Sequence, residues 1–281
     1  MLLEGIETLL TLSQERTMTR TATRLYLTQS AVSKRIAKLE RLVGKKLVEP
    51  DGRQIRLTEA AQELVASIGP SYIEIRGLVF DQQTRPERSA MDVACSETLL
   101  AGYLKPIAAE LLNQDPHIRF STHHTPMILE KVQSGEAVLG YCAGQLPGQH
   151  GLVTRHLFDE PFVVISHAPT TGLPPSMLVN DLSNPANSMQ VATLHRLGIT
   201  PMMQMDSYTA AAQLALAGVG PALVPMATVQ TLGIARKYCF NFEELRALTR
   251  PVHLCYRQRS GRLPRVARLI EAIARAVPTT T

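Results

Sequence analysis

The densest chemistry in the sequence lies in residues 16–46, where nine Lys and Arg side chains meet a single acid, Glu40. With the whole chain at +5 and this segment at +8, the remainder carries −3. A field concentrated in this way attracts phosphate, whereas a merely solvated helix face carries interleaved acids. Within the segment stand Thr28, Gln29, Ser30, Ser33, Lys34 and Lys38. These amide, hydroxyl and cationic groups are the ones that read base edges: Gln pairs bidentately with adenine, Lys reaches guanine acceptors, and Ser serves either. Thr17, Thr19 and Arg20, slightly earlier, suit phosphate contacts.

A second set of polar groups is spread through the later chain. Ser96, Thr98, Thr125 and Ser207 each adjoin an expected junction of strand and helix, where a hydroxyl meets free backbone N–H groups at the positive helix end. That pattern fits a small, anionic ligand, and equally fits plain N-caps. Convergence on one cleft separates the two readings. His123 and His124 are adjacent, so on a strand they point to opposite sides and share no metal. No HExxH, GxSxG, paired Cys-His spacing or phosphate-cradling glycine loop occurs. Cys95, Cys142, Cys239 and Cys255 lie far apart without CxxC spacing and read as reduced thiols. No cofactor and no catalytic role is expected.

The elements that must position these groups follow from periodicity. A first helix shows Ile6, Leu9, Leu10 and Ser13 on one face. Thr17 caps a second, with Met18, Ala22 and Leu25 inward, and Tyr26-Leu27 turn into a third capped by Thr28. The third helix buries Val32, Ile36, Leu39 and Val43, leaving Ser30, Lys34, Lys38 and Arg41 outward, and stops at Gly44. Residues 47–49, a Pro50-Asp51-Gly52 turn and residues 54–57 predict a hairpin wing. A fourth helix opens at Thr58 and carries Ala61, Val65, Ile68, Tyr72, Ile75 and Val79 at heptad-like steps, a stripe fit for pairing with a second copy or for packing on its own domain. Gly69-Pro70 predicts a kink or a break there. Residues 82–89 read as a linker.

Beyond residue 91, strands and helices alternate as in α/β proteins. Strands are expected at 91–95, 118–123, 138–142, 162–166 and 252–256, with helices at 99–114, 127–134, 210–217 and 263–277. The last helix is basic, with Arg262, Arg265, Arg268 and Arg275 on either a solvated face or a second nucleic-acid patch. No internal repeat is visible.

Residues 17–47, TMTRTATRLYLTQSAVSKRIAKLERLVGKKL, followed by RLTEAAQEL at 56–64, closely resemble the DNA-binding region of LysR-type transcriptional regulators. The resemblance implies a winged helix-turn-helix over 1–58, a linker and dimerisation helix with hinge over 59–89, and a two-lobed α/β effector domain of the type II periplasmic-binding-protein kind over 90–281. SYTAAAQLALAGVGPALVP at 207–225 and TPMILEKVQSGEAVLGY at 125–141 carry the likeness in that domain. By the resemblance Gln29, Ser30, Ser33 and Lys34 lie nearest the bases, and Arg53 in the wing meets a flanking phosphate. It further implies a dyad-symmetric double-stranded promoter site, a small-molecule effector, a dimer or tetramer, and RNA polymerase as partners. Departures from the pattern are Val48-Glu49-Pro50, Ala61, Gly69-Pro70 and Val138. The rival readings are an architectural DNA binder without an effector and an enzyme built on the two-lobed fold. Lacking a leader-like N-terminus or a run of about 20 apolar residues, the chain is expected in the cytoplasm, away from membranes.

Overall fold

A computed structural model describes residues 2–51, 54–83, 89–148 and 150–278. The chain divides into two compact units, residues 1–79 and 80–281. The first begins with α1 (Leu2–Glu15), α2 (Met18–Arg24) and α3 (Gln29–Val43), followed by the hairpin β1 (Val48–Asp51) and β2 (Gln54–Leu57), then α4 (Glu59–Gln83). Ile6, Leu9, Leu12, Ile36, Leu39, Leu47, Ala61 and Tyr72 form its core. Leu12, one residue before the expected Ser13, completes the buried stripe.

Three expectations need correction in this unit. Val43 is 37% exposed, because Gly44 (φ +72°) ends α3 before another turn can carry its face inward. Pro50 and Asp51 belong to β1, paired with Ile55 and Gln54. A two-stranded hairpin has an open edge on each strand, where the missing proline N–H costs nothing. Helix α4 runs unbroken through Pro70. A proline inside a helix costs about 3 kcal/mol, and burying Ala61 and Tyr72 on the domain core offsets it at about 1.5–3 kcal/mol for a large side chain. The proximal part of the stripe thus packs on its own domain, whereas Ile75 and Val79 stay 42% and 55% exposed.

The second unit opens with β3 (Met91–Cys95) and a helical run of α5 (Glu97–Leu99), a π-turn over Leu100–Leu104 and α6 (Lys105–Gln114). Pro106 explains the π-turn in what reads as one helix: without an N–H it cannot continue a regular α-ladder. Then come β4 (Ile118–Thr122), α7 (Thr125–Ser134), β5 (Leu139–Ala143), the long β6 (Val153–Ile165) and β7 (Ser176–Asn180). They are followed by α8 (Ser188–Arg196), β8 (Thr200–Met205), α9 (Tyr208–Leu216), β9 (Ala222–Pro225), α10 (Met226–Leu232), β10 (Cys239–Phe240), β11 (Thr249–Tyr256) and α11 (Pro264–Ala276).

The strands form one path, β4-β3-β5-β11-β6-β9-β7-β8, with β10 on β6. Its ends repeat: β4-β3-β5 and β8-β7-β9 are parallel triplets with the first strand in the middle. A topological repeat therefore exists where the sequence shows none. Each triplet has its own core, one around Val93, Leu139, Tyr141 and Ile273, the other around Val164, Leu178, Ala211 and Leu223. Strand β6 belongs to both, pairing with β11 over residues 153–161 and with β9 over 162–165. Of the basic tail helix, Arg265 turns inward to clamp Asp115 at 2.8 and 2.9 Å. The fold also brings two distant thiols together, Cys142 and Cys255, with sulfurs 3.5 Å apart and fully buried.

On the paired strands β6 and β11, His253 sits edge-on to His156 at 5.4 Å, and its Nδ1 is buried without a partner among the described residues. Burial, reinforced by the His156 charge, pushes His253 down from 6.5 to about 4. Below pH 6.5 the unfolded chain gains a proton that the folded chain refuses, so stability falls from pH 6.5 toward 4. The loss is up to about 3 kcal/mol. Denaturant midpoints measured at pH 7, 5.5 and 4.5 should fall accordingly, and His253→Leu should flatten that part of the profile.

Candidate functional site

In the first unit α3 is held from behind by Val32, Ile36 and Leu39, each at most 3% exposed. Its opposite face presents Gln29, Ser30, Ser33 and Lys34 to solvent, with Lys38 half-buried. Both caps are formed as their residue types dictate. Thr17 accepts from the Arg20 N–H at 3.2 Å and Thr28 from the Ala31 N–H at 3.2 Å. Each hydroxyl keeps its own proton; that of Thr28 lies 3.0 Å from Ser30 Oγ. Thr19 and Arg20 are exposed on α2. Arg53 lies outside the described residues.

The cations divide into two groups. Arg35 faces Glu4 and Glu7 of α1 at 3.7 and 4.0 Å, Arg24 binds Glu15 at 2.8 Å, and Lys46 binds Glu40 at 3.2 Å. Arg20, Lys34 and Arg41 carry no ion pair among the described residues. Glu40, the one acid of the basic segment, faces inward: its carboxylate takes the Leu47 N–H at 2.9 Å and the Val48 N–H at 3.4 Å. Burial pushes its pKa up, but the Leu47 N–H, with Lys46 and Val48, outweighs that and holds it below the usual range. It therefore fastens α3 to the wing and leaves the outer face positive. Sequence reading missed Tyr26, 96% exposed at the turn between α2 and α3 with φ +54°. A glycine-like position filled by a bulky aromatic is the signal that could have drawn attention to it.

In the second unit the carboxyl ends of β3, β4, β5, β7 and β8 open onto one cavity of about 200 Å³. That is where open parallel sheets bind ligands. Ser96, Thr98, Thr125 and Ser207 all line it. Their hydroxyls are not equivalent. Thr125 Oγ1 donates to the Ala143 carbonyl at 2.7 Å, and Ser207 Oγ accepts the Ala210 N–H at 3.3 Å, so both also serve the fold. Thr98 is buried and accepts from Arg250 Nη2 at 2.8 Å. Ser96 makes no cap bond, only a 3.3 Å contact with Thr98.

His123 and His124, expected as bystanders at a strand end, line the same cavity because α7 starts only two residues after β4. His124 Nε2 lies 3.0 Å from Asp206 Oδ1, joining the two halves of the unit across the mouth. Burial, then the Lys131 charge, pushes the His123 imidazole down. Behind the cavity the halves touch at Gly144, with φ +97° and room for no side chain: a Cβ would stand 2.4 Å from the Ala186 oxygen. Among the described residues no group of three His, Cys, Asp or Glu could hold a metal ion.

Sequence reading also missed the pair at the cavity floor. Glu160 of β6 is fully buried, and Arg250 of β11, directly opposite, is 8% exposed. Arg250 Nε donates to Glu160 Oε2 at 2.6 Å. The other oxygen takes the Ala227 N–H at 2.6 Å and the Tyr103 hydroxyl at 3.2 Å. Arg250 also lies over the Tyr208 ring at 5.4 Å. Ninety residues apart, the two partners share no spacing; the only signal was a charge beside each apolar β run.

Residues 3–62 match the bacterial regulatory helix-turn-helix proteins of the lysR family, and residues 84–278 match the LysR substrate binding domain. The chain belongs to the LysR family of DNA-binding transcriptional regulators. An uncharacterized HTH-type transcriptional regulator of Vibrio cholerae is 58% identical over 99% of this chain and 97% of its own. Full-length OxyR from Pseudomonas aeruginosa superposes with a TM-score of 0.60 at 20% identity, over 98% and 94% of the two chains. CbnR in complex with its target DNA superposes at 0.54 and 18% identity, over 99% of this chain and all of that one. The winged helix-turn-helix and two-lobed effector-domain architecture are thus those of the family.

Glu160→Gln should cost roughly 3–5 kcal/mol, since it strands a buried guanidinium charge. Adding Arg250→Met should recover most of that loss. Urea unfolding of the single and double variants checks both.

Proposed function

We propose that the chain is a sequence-specific regulator in which α3 reads the major groove of a dyad-related DNA site under control of a small effector bearing an anionic group. The observation that carries the DNA half is the outer face of α3, where polar readers and unpaired cations stand together while Glu40 is turned inward. Gln29, Ser30, Ser33 and Lys34 contact bases; Thr17, Thr19, Arg20, Thr28, Lys38 and Arg53 contact phosphates or position the helix. CbnR, of like fold, was solved on its target DNA, which supports DNA binding as the role of such an architecture. The exposed distal stripe of α4, Ile75 and Val79, supports pairing with a second copy as dimer or tetramer. RNA polymerase completes the set of partners.

The convergence of Ser96, Thr98, Thr125 and Ser207 on one cavity supports the effector half, and disfavours both an architectural role and four unrelated caps. The first residues of α7 and α9 line it, and the positive end of a helix dipole favours negative charge.

Lys34→Ala should cost about 1–3 kcal/mol at the cognate site and relax preference at one base pair. Arg20→Ala should weaken all sequences alike and lower the salt slope by about one. Fluorescence anisotropy on cognate and scrambled duplexes over a salt series checks both, and identical behaviour of the two refutes the roles.

Of the four, Ser96 has a hydroxyl engaged by no cap, carbonyl or guanidinium, its one contact among the described residues being Thr98 at 3.3 Å. Ser96→Ala should leave stability and DNA binding unchanged yet weaken effector response by roughly 1.5–3 kcal/mol of binding, the value of a hydrogen bond to a charged group. Reporter transcription across effector concentrations measures it; an unchanged response removes Ser96 from the site.

A further inference from the structure

We propose that the cavity takes a small polar zwitterion, an α-amino acid, with its carboxylate on the Arg250 guanidinium and its ammonium on Glu97. The inference rests on the effector-controlled reading of this cavity and narrows its ligand.

The carboxylate assignment comes from an open donor. Arg250 spends Nε on Glu160 and Nη2 on Thr98, yet Nη1 has no hydrogen-bond partner among the described residues, although Arg250 is only 8% exposed and lines the cavity. The guanidinium fork is built to hold a carboxylate through N–H groups in its plane. An unspent pair of such groups on a residue that lines the cavity asks for an acceptor.

The ammonium assignment comes from charge balance. Glu160 already neutralises Arg250 at 2.6 Å, so the cavity has no spare positive side chain to receive a bare anion. Asp206 is matched with His124 at 3.0 Å. Glu97 lines the cavity with no partner for its side chain among the described residues. Whether His124 is protonated or neutral, the lining is left with excess negative charge. A simple carboxylate adds to that excess, whereas a ligand that also carries an ammonium leaves it balanced.

Size and polarity narrow the side chain. About 200 Å³ is below the roughly 300–1,000 Å³ of sites for drug-sized ligands. The apolar lining is confined to Ala143, Ala186 and the Tyr208 ring, while Asn180 and Asn184 supply amides that donate and accept. A short polar side chain fits this lining; a large aliphatic or aromatic one does not.

The test uses full-length protein, the twenty L-amino acids and, for each, the carboxylic acid of the same skeleton without the amino group. Thermal shift identifies binders and calorimetry ranks them. At least one short polar amino acid should bind, and loss of its amino group should weaken binding tenfold or more. Glu97→Gln should weaken the amino acid by a similar factor while leaving the amine-free acid unchanged or tighter. Circular dichroism and DNA binding report that this exposed-site variant is folded; should it fail to fold, the amine-free acids decide alone. Amine-free acids that bind as tightly as their amino acids overturn the zwitterion and leave the effector cavity standing. Indifference of the amino acid to Glu97→Gln overturns the ammonium assignment. Absence of binding by every compound overturns this inference, and if Ser96→Ala also leaves effector response unchanged, the cavity reading falls with it.

Discussion

A carboxylate with no solvent around it must be satisfied on all sides, and Glu160 is the point from which the second unit is organised. Its oxygens collect a guanidinium from β11, a phenol from the π-turn and a backbone N–H from the start of α10. These donors belong to segments that sequence distance keeps far apart. Placing one ionised group among them fixes the register of β6 against β11 and the seating of α10. An apolar residue of similar size would fill the space without that specificity. The π-turn makes sense in the same terms: a proline that interrupts the α-ladder also rotates Tyr103 toward the carboxylate. Gly102 lets α10 approach there, since a Cβ on it would stand 2.9 Å from Ala227 Cβ.

Because Glu160 and Arg250 sit on the strands that both halves share, the floor of the cavity and the hinge of the unit are one structure. Strand β6 changes partner from β11 to β9 just beyond Glu160. A ligand drawing on Arg250 Nη1 therefore pulls on the group that sets the relation between the two cores. At the rim, His124 and Asp206 contribute a contact from opposite halves. Side chains of the intervening residues are small, Ala143 and Ala186 with Gly144 between them in the chain and space, which allows the halves to meet without filling the cleft. A ligand bound here would therefore make its contacts where the two cores adjoin.

Much of the molecule was legible because local signals and global packing agree. Thr17, Thr28 and Gly44 mark helix ends by chemistry that acts within one turn, and the structure uses each of them so. Strand β3 was legible residue by residue, as an apolar run between polar breaks. What failed was non-local. Pro70 reads as a kink or a break because propensity counts only its own turn, whereas the burial of Tyr72 in the core of the first unit favours a helix that continues through it. Strands β7 and β8 were unreadable: one is buried with a Ser at its start, the other exposes two methionines on a sheet edge. In the cavity, Ser96, Thr98, Thr125 and Ser207 were found through their place at junctions, which is a local property. Arg250 and Glu160 were not, because a cross-strand ion pair has no period and no motif. Functional roles for the four hydroxyls lie beyond what spacing can decide, since capping and ligand binding ask for the same side chain at the same place.

The first unit shows the opposite treatment of charge, and the contrast separates a surface suited to a polyanion from a cavity suited to a small ligand. Around α3 the acids are consumed: Glu40 by backbone N–H groups, Glu4 and Glu7 by Arg35, Glu15 by Arg24. These pairings offset the acids near α3 and so leave the outer field positive. Of the remaining cations, Arg20, Lys34 and Arg41 carry no ion pair among the described residues, so their attraction for phosphate extends over roughly a Debye length of 8–10 Å. Around the cavity the cation is consumed instead, by Glu160, and acids are left at the rim. A polyanion needs long reach and many equivalent contacts, which exposed and unpaired side chains supply. A small ligand needs selectivity at short range, which a buried, oriented and already balanced ion pair supplies better. The net charge of +5 conceals this division; the positions of the paired and unpaired groups express it.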